Sequence, residues 1–271
     1  MLFRSDWFSE RLFFVVQTLM WNSPTYARVS HNLHHRYTMV RGVDPETDWP
    51  EVITYKWVRR LLLDLVLGIL IIGAVKRLYL DVVKQIQRVR GIKDRMMRDH
   101  CSDDDIAAIR GESLVILLFH LAVVVVAILF RRWELIAFIT LAWQIGSNFE
   151  SLWHHTEHIT RLYNVTDQRL ATRSIRVSPL IRLIYWGLDD HIDHHMFPQV
   201  PSRNLPRLHK ILSKKLPEPL HMIGCWREII TIAKEKDLRA QIEYVPCELK
   251  SSPQTTIRPK DSGTPEWQLT S

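Results

Sequence analysis

The feature that most constrains this chain is a histidine triplet that occurs twice with the same spacing. The triplets are His31–His34–His35 and His191–His194–His195, and a third group lies between them at His154, His155 and His158. On an α-helix, residues at i, i+3 and i+4 share one face, so each triplet predicts imidazoles that point the same way. Imidazole suits iron, zinc, copper and nickel, so the three faces together predict a metal site with nitrogen ligands.

Two simpler interpretations of these histidines are weaker. A lone histidine on an apolar face is usually a hydrogen-bonded core residue, which is how we interpret His120. The repeated clusters differ, because many imidazoles packed in apolar surroundings need partners. A zinc hydrolase would need a glutamate beside its metal, as in His-Glu-x-x-His, and the sequence has no such motif. The three cysteines form no Cys-x-x-Cys pair, which argues against a thiolate site or a disulfide framework.

The apolar residues are segregated along the chain, although the mean hydropathy is only −0.08. Largely apolar stretches occupy residues 61–75, 114–130 and 135–152, and charged segments separate them. This pattern predicts an integral membrane protein with large polar parts. The net charge of +7 fits contact with anionic headgroups of the cytoplasmic leaflet. We expect no nucleic-acid partner, because the Lys and Arg residues flank apolar segments and form no nucleic-acid motif.

The order of these stretches predicts a topology. Stretches 114–130 and 135–152 are separated by the short loop Arg131–Glu134, which predicts a tight transmembrane hairpin. A hairpin returns the chain to its starting side, so the first and last histidine groups share a side only if residues 61–75 do not cross. We therefore expect residues 61–75 to be interfacial or re-entrant. The basic excess in 76–110 places the shared side in the cytoplasm, while the two arginines of the hairpin loop count against this assignment.

The predicted fold class is all-α, an integral-membrane helical bundle with a cytoplasmic histidine-rich metal site and amphipathic surface helices. The helical periodicity predicts surface helices at 205–216 and 226–244. Residues 246–271 are rich in Pro, Ser and Thr, which predicts a disordered tail. The folded domain would then be residues 1–245.

Several segments resemble one membrane-protein family. His31–Thr38 and His191–Pro201 look like the second and third histidine boxes of the integral-membrane fatty acid desaturases, and Gly42–Glu46 and Asn204–His209 are similar to the residues that follow those boxes. The resemblance implies a helical membrane protein with two non-haem iron ions on its cytoplasmic face and dioxygen as co-substrate. It also implies an acyl lipid substrate, in which a double bond forms, and a separate electron donor such as a ferredoxin or a small haem protein.

The resemblance also implies which residues hold the metal. The six histidines of the two boxes would be iron ligands: His31, His34, His35, His191, His194 and His195. The family often has one further histidine before the third box, and His158 is the first choice here, with His154 or His155 next. Histidine ligands usually donate their other N–H to a carboxylate or a carbonyl. Of the acids near the clusters, which include those of loop 44–48, we favour Glu157, Asp190 and Asp193, against the alternative of solvated loop acids.

One departure from the family pattern concerns its first box, His-x-x-x-His or His-x-x-x-x-His. No histidine precedes His31, and Leu2–Trp7 looks like the stretch that normally follows this box. We therefore expect an N-terminally truncated domain, through a misassigned start, a fragment or a real loss. We also expect weak or substoichiometric iron binding, and an in-frame His-x-x-x-His in the DNA just upstream. Alternatives to a desaturase are a hydroxylase or ketolase of the same scaffold, or an inactive desaturase-derived membrane protein.

Overall fold

The computed structural model describes residues 6–47, 49–50, 52–69, 71–235, 256–259 and 267–270. It is mostly helical, which confirms the predicted all-α class. The α-helices are, in order, α1 Asp6–Leu19, α2 Pro24–Arg36, α3 Tyr55–Ile69, α4 Ile71–Val89, α5 Arg95–His100, α6 Asp103–Leu129, α7 Ala142–His158, α8 Gln168–Ala171, α9 Pro179–Ile184, α10 His191–Met196, α11 Leu205–Leu212 and α12 Met222–Glu235.

Shorter elements complete the described chain. A π-helical segment, Ile136–Thr140, precedes α7, and the 3-10 turns Ser202–Asn204 and Ser213–Lys215 flank α11. Two pairs of short strands are present: β1 Ile175–Arg176 lies parallel to β2 Leu220–His221, and β3 Thr256–Pro259 lies antiparallel to β4 Trp267–Thr270.

The two helices predicted in the C-terminal part of the chain are present, and the disordered tail stays a prediction. The helix predicted at 205–216 is α11 with its 3-10 extension, and the helix predicted at 226–244 corresponds to α12 over its described part. The predicted disordered tail, 246–271, contains β3 and β4, which composition did not indicate. The rest of that tail lies outside the described residues.

The chain divides into two compact units. The first comprises residues 1–32 and 62–151, and the second comprises 33–61 and 152–271. Helices α2, α3 and α7 each contribute residues to both units.

Helix α6 is the long apolar element of the first unit. Ser102 caps its N-terminus and forms a reciprocal capping box with Asp105, and three aspartates in the first turn complement the positive end of the helix dipole. Within the described ranges, α6 is the one helix that is long and apolar enough to cross a membrane. Many of its large apolar side chains, among them Leu121 and Leu129, are exposed.

The predicted hairpin and the apolar stretch 61–75 are both divided, which sequence periodicity did not show. The second arm of the hairpin consists of the π-helical segment followed by α7, because the Leu141 N–H bonds the carbonyl of Ile136, five residues back, at 2.9 Å. Stretch 61–75 is split between α3 and α4. Gly73 allows the close turn there, since a Cβ at this position would lie 2.3 Å from the carbonyl oxygen of Leu67. The interfacial placement of this stretch stays a prediction.

In the second unit, a buried ionic network fixes the end of α7. Arg161 and Arg173 both donate to Glu228 Oε1 on α12, at 2.6 and 2.8 Å. Arg173 also donates to the carbonyl of Ile159, just beyond α7, at 2.8 Å. Because α7 carries three of the histidines, this network holds their helix end against α12.

Candidate metal centre

Four histidine rings of the second unit converge on one point. His34 comes from α2, His158 from the last residue of α7, and His191 and His195 from positions i and i+4 of α10. One potential ligand atom from each ring lies within 4.8 Å of the other three, and all four residues are buried. Nε2 of His191 is 2.9 Å from Nε2 of His158 and 3.0 Å from Nε2 of His195.

In two of these histidines, His34 and His195, the other ring nitrogen faces a hydrogen-bond acceptor. His34 Nδ1 lies 3.0 Å from both carboxylate oxygens of Asp44. His195 Nδ1 lies 3.0 Å from Thr38 Oγ1, and that hydroxyl donates its own proton to the carbonyl of His34 at 2.6 Å, so it accepts from His195.

The remaining two rings differ from these. His191 Nδ1 lies 3.4 Å from Glu157 Oε2 in a geometry that makes no hydrogen bond, and His158 Nδ1, like His191 Nδ1, is buried without a hydrogen-bond partner among the described residues. A carboxylate only accepts, and the Thr38 hydroxyl already donates its proton elsewhere, so Nδ1 carries a proton in His34 and His195. When neutral, these two rings therefore offer an Nε2 lone pair to a cation.

This arrangement is the fit expected of a metal site. Imidazole nitrogens 2.9 and 3.0 Å apart are held together either by a shared proton or by a cation that both bind. Two nitrogens that each lie about 2.1 Å from one ion, at a right angle, are separated by about 3.0 Å. The donor set, four buried imidazole nitrogens of which two belong to rings held by outer partners, matches a first-row transition metal.

The electrostatics of the four rings are unequal. Burial lowers the pKa of His158, His191 and His195 well below the usual value, so these rings are neutral and ready to bind a cation. Burial also acts to lower the pKa of His34, but the hydrogen bond and charge of Asp44 outweigh it, and the pKa is raised. His34 is therefore the one ring of the four that retains a proton readily.

A second pair of rings lies beside the first group. The rings of His35 and His194 meet edge-on with centroids 4.4 Å apart, and His35 is 4.6 Å from His195. Both are half-buried. Helix α2 thus presents His34 to the buried group and His35 to His194. His31 is exposed and lies one turn before His35 on the same helix.

The remaining two histidines of α7 lie apart from the four. The His154 ring is 5.5 Å from that of His158 and 6.4 Å from that of His34, and desolvation lowers the pKa of His154 to about 4. His155 stacks on Trp49 with centroids 5.8 Å apart. The position that sequence analysis ranked first, His158, is the one that joins the buried group.

The three favoured carboxylates lie in two different places. Glu157 is beside His191, and it also accepts the Tyr185 hydroxyl at 2.7 Å. Asp193 accepts instead from His209 Nδ1, at 2.8 Å, and Asp190 pairs with Arg182. The geometry of α10 explains this, since Asp193 lies on the side of the helix opposite to its buried histidines. A role for Asp190 or Asp193 as partner of a metal-bound imidazole stays a prediction.

Sequence analysis did not select Asp44, Thr38 or Tyr185. Asp44 was among the nearby acids but was ranked below the others. Thr38 follows His34 by four residues, so its helical spacing was a usable signal. Tyr185 is distant in sequence from Glu157, and no pattern in the chain links them.

Comparison with known proteins gave one match. Residues 1–226 match the family model described as Fatty acid desaturase. No match was found among curated proteins or among solved structures.

Proposed function

The chain belongs to the fatty acid desaturase family, and from this premise we propose that it is a membrane-bound, dioxygen-dependent oxidoreductase that forms a double bond in an acyl chain. The observation that carries the proposal is the convergence of four buried imidazoles, two of which, His34 and His195, have an acceptor at Nδ1. We expect such a group to bind a transition metal. We place it on the cytoplasmic side of the membrane, following the basic excess of the sequence.

The proposed cofactor is a pair of iron ions. His34, His158, His191 and His195 would hold one, and His35 and His194, with His31 one turn away on α2, would contribute to the other. We keep His154, whose ring lies 5.5 Å from that of His158, as a proposed additional ligand, which the family resemblance suggests. Bound iron would supply the activation of dioxygen, which amino-acid side chains do not provide.

The side chains of this chain have three roles in the proposal. The acceptors Asp44 and Thr38 keep Nδ1 of His34 and His195 protonated and orient these two rings, and Glu157 places a carboxylate 3.4 Å from Nδ1 of His191. Burial of the four rings excludes water from the group and keeps three of them neutral. Tyr185 holds Glu157 in place through its hydroxyl.

The electron balance implies a partner. Removal of two hydrogen atoms from adjacent carbons supplies two electrons, whereas reduction of dioxygen to two waters consumes four. The other two electrons and two protons must come from elsewhere, so we propose a separate donor such as a ferredoxin or a small haem protein. The substrate class is an acyl lipid.

The test is expression of the full chain in a lipid-defined host, with iron analysis of the purified protein and mass spectrometry of the acyl chains. We expect an acyl product that lacks two hydrogens, which His191→Ala abolishes. His221→Ala is the matched control, since His221 is exposed and lies outside the clusters, and it should leave the product unchanged. An added oxygen atom in the product would identify a hydroxylase or ketolase instead. Iron-loaded protein that forms no product would refute the enzymatic role.

A further inference from the structure

Just before α10 in the chain, the second unit has an exposed apolar surface on α9. On α9, Leu180, Leu183 and Ile184 are 67%, 75% and 61% exposed, and Trp186 directly after the helix is 63% exposed. Trp186 and Gly187 both have positive φ, 57° and 71°, so the chain turns sharply after the helix and leaves the indole outside. Large apolar side chains this exposed in one short segment call for a partner.

A second segment, residues 202–215, is connected at its two ends to the chain that flanks α9. Strand β1, just before α9, pairs with β2, just after the segment 202–215 that contains α11. At the other end of α9, a Cβ on Gly187 would lie 3.5 Å from the carbonyl oxygen of Ser202. The chain just before α9 and the chain just after it are therefore each next to one end of segment 202–215.

This neighbouring segment is basic. Arg203, Arg207, Lys210 and Lys214 follow one another at intervals of four, three and four residues, which places them on one helical face. All four are exposed, and the sequence has no acidic residue between 202 and 217. Ile211, 77% exposed, adds an apolar side chain beside the cations.

We propose that α9 and segment 202–215 form a bilayer-contact surface for an anionic leaflet. The apolar residues of α9 enter the acyl region, and the cations of the basic segment contact the headgroups. Apolar side chains next to a basic face are the features of helices that lie in the membrane interface. Tryptophan is enriched at this depth, which fits the exposed indole of Trp186. The inference goes beyond the proposed function and depends on neither metal nor catalysis.

A second copy of the chain fits this surface less well. A two-fold contact would bring the same cations against each other, which is unfavourable. A stable protein interface also needs about 800 Å² from each partner, more than a few side chains of one six-residue helix provide. The bilayer is the better occupant, because the chain carries in α6 a helix suited to a membrane.

The proposed bilayer-contact surface is connected directly to the start of α10, the helix that carries His191 and His195. Arg182, on α9, contacts Asp189 Oδ2 at 3.1 Å and also pairs with Asp190, the residue before His191. A bilayer that holds α9 would therefore hold the start of α10 as well.

Spin labels on the full chain test the proposal. In a background of Cys101→Ser, Cys225→Ala and Cys247→Ser, checked for unchanged thermal unfolding, the label is placed at Leu183→Cys or at the exposed polar position Thr231→Cys. Its collision rates with dioxygen and with a water-soluble nickel complex are measured in vesicles of phosphatidylcholine, with and without phosphatidylglycerol. We expect dioxygen to dominate at position 183 and the nickel complex to dominate at position 231.

A charge variant tests the headgroup contact. The variant combines Arg207→Gln, Lys210→Gln and Lys214→Gln, and it should shift the label at position 183 toward water in anionic vesicles. The ratio of inserted to exposed label should fall by about fivefold for each cation removed, or about a hundredfold for all three. The control neutralises three exposed cations of the first unit, Arg90→Gln, Lys93→Gln and Arg98→Gln, and should leave the ratio unchanged. Equal nickel access at the two label positions would overturn the proposal. So would dipolar broadening that disappears on dilution with unlabelled protein, because it would identify a second copy as the occupant.

Discussion

Asp44→Asn is the sharpest single test of how the buried histidine group is held. The carboxylate of Asp44 accepts from His34 Nδ1 through both oxygens, each at 3.0 Å. It also accepts from the backbone N–H groups of Met39 and Glu46, each at 2.9 Å, and from the Thr47 hydroxyl at 2.6 Å. Asn preserves the size and shape of the side chain but replaces one acceptor oxygen with a donor.

The expected magnitude follows from where the new amide nitrogen points. In one orientation it faces the N–H of Glu46, and in the other it faces the N–H of Met39, so one buried donor loses its acceptor in either case. That loss costs about 1–3 kcal/mol of unfolding free energy. Weaker orientation of His34 should lower metal affinity by about 10- to 100-fold, as for other outer partners of histidine ligands.

The assay is equilibrium metal binding to the purified full chain under anaerobic conditions, with Co²⁺ as a spectroscopic probe and thermal unfolding measured in parallel. Glu218→Gln is the matched control, since this carboxylate is exposed and pairs only loosely with Arg176, at 3.7 Å. It should change neither property. Unchanged affinity of Asp44→Asn for Co²⁺, with a normal fold, would refute the argument that Asp44 orients a ligand.

Substitutions at Thr38, Tyr185 and Gly68 test other parts of the structure, with Thr38→Ser and Gly111→Ala as controls. Thr38→Val removes the acceptor of His195 Nδ1 and should weaken Co²⁺ binding about tenfold, while Thr38→Ser restores it. Tyr185→Phe removes the hydroxyl that donates to Glu157, the carboxylate beside His191. Metal affinity should therefore fall by up to about tenfold, with little change in thermal unfolding. Gly68→Ala would place a Cβ 2.0 Å from Oδ1 of Asn148 and should lower the free energy of unfolding by about 1–3 kcal/mol in denaturant titration. Gly111→Ala, with open space around it in a helix, should stabilise the chain by about 0.5–1 kcal/mol, and equal effects at the two glycines would contradict the packing described.

Helical periodicity was enough to predict part of the site. The i, i+4 spacing of His191 and His195 placed both on one face of a helix, and the structure has them there. Periodicity does not determine which neighbouring cluster each ring joins. His34 and His35 are adjacent in sequence, yet they face different partners, and this depends on how α7 and α10 pack against the end of α2.

The outer partners show why proximity in sequence was a poor guide. Asp193 lies between two histidines of its box, but the helix turns its carboxylate toward His209. Asp44 is ten residues beyond His34 and reaches it only because the chain reverses after α2. Met39 takes a left-handed backbone conformation there, with φ 60°, and its N–H bonds the same carboxylate. A loop reversal of this kind has no periodic signal.

The charges around the four rings link metal binding to stability. Asp44 and Glu157 are buried carboxylates beside neutral imidazoles, and a divalent ion would balance their two charges. Without the ion, a proton on His34 compensates in part, which agrees with its raised pKa. The stabilisation from protonated His34 is fully present below the unfolded pKa of about 6.5 and is lost as pH rises through the raised folded pKa.

Bound metal stabilises the fold in addition. Metal at about 100 times its dissociation constant should add about 2.7 kcal/mol to the free energy of unfolding. A chelator should therefore lower the unfolding temperature of the wild type more at pH 8 than at pH 6, and should have little effect in His158→Ala. An equal effect in both proteins would show that the ion binds elsewhere.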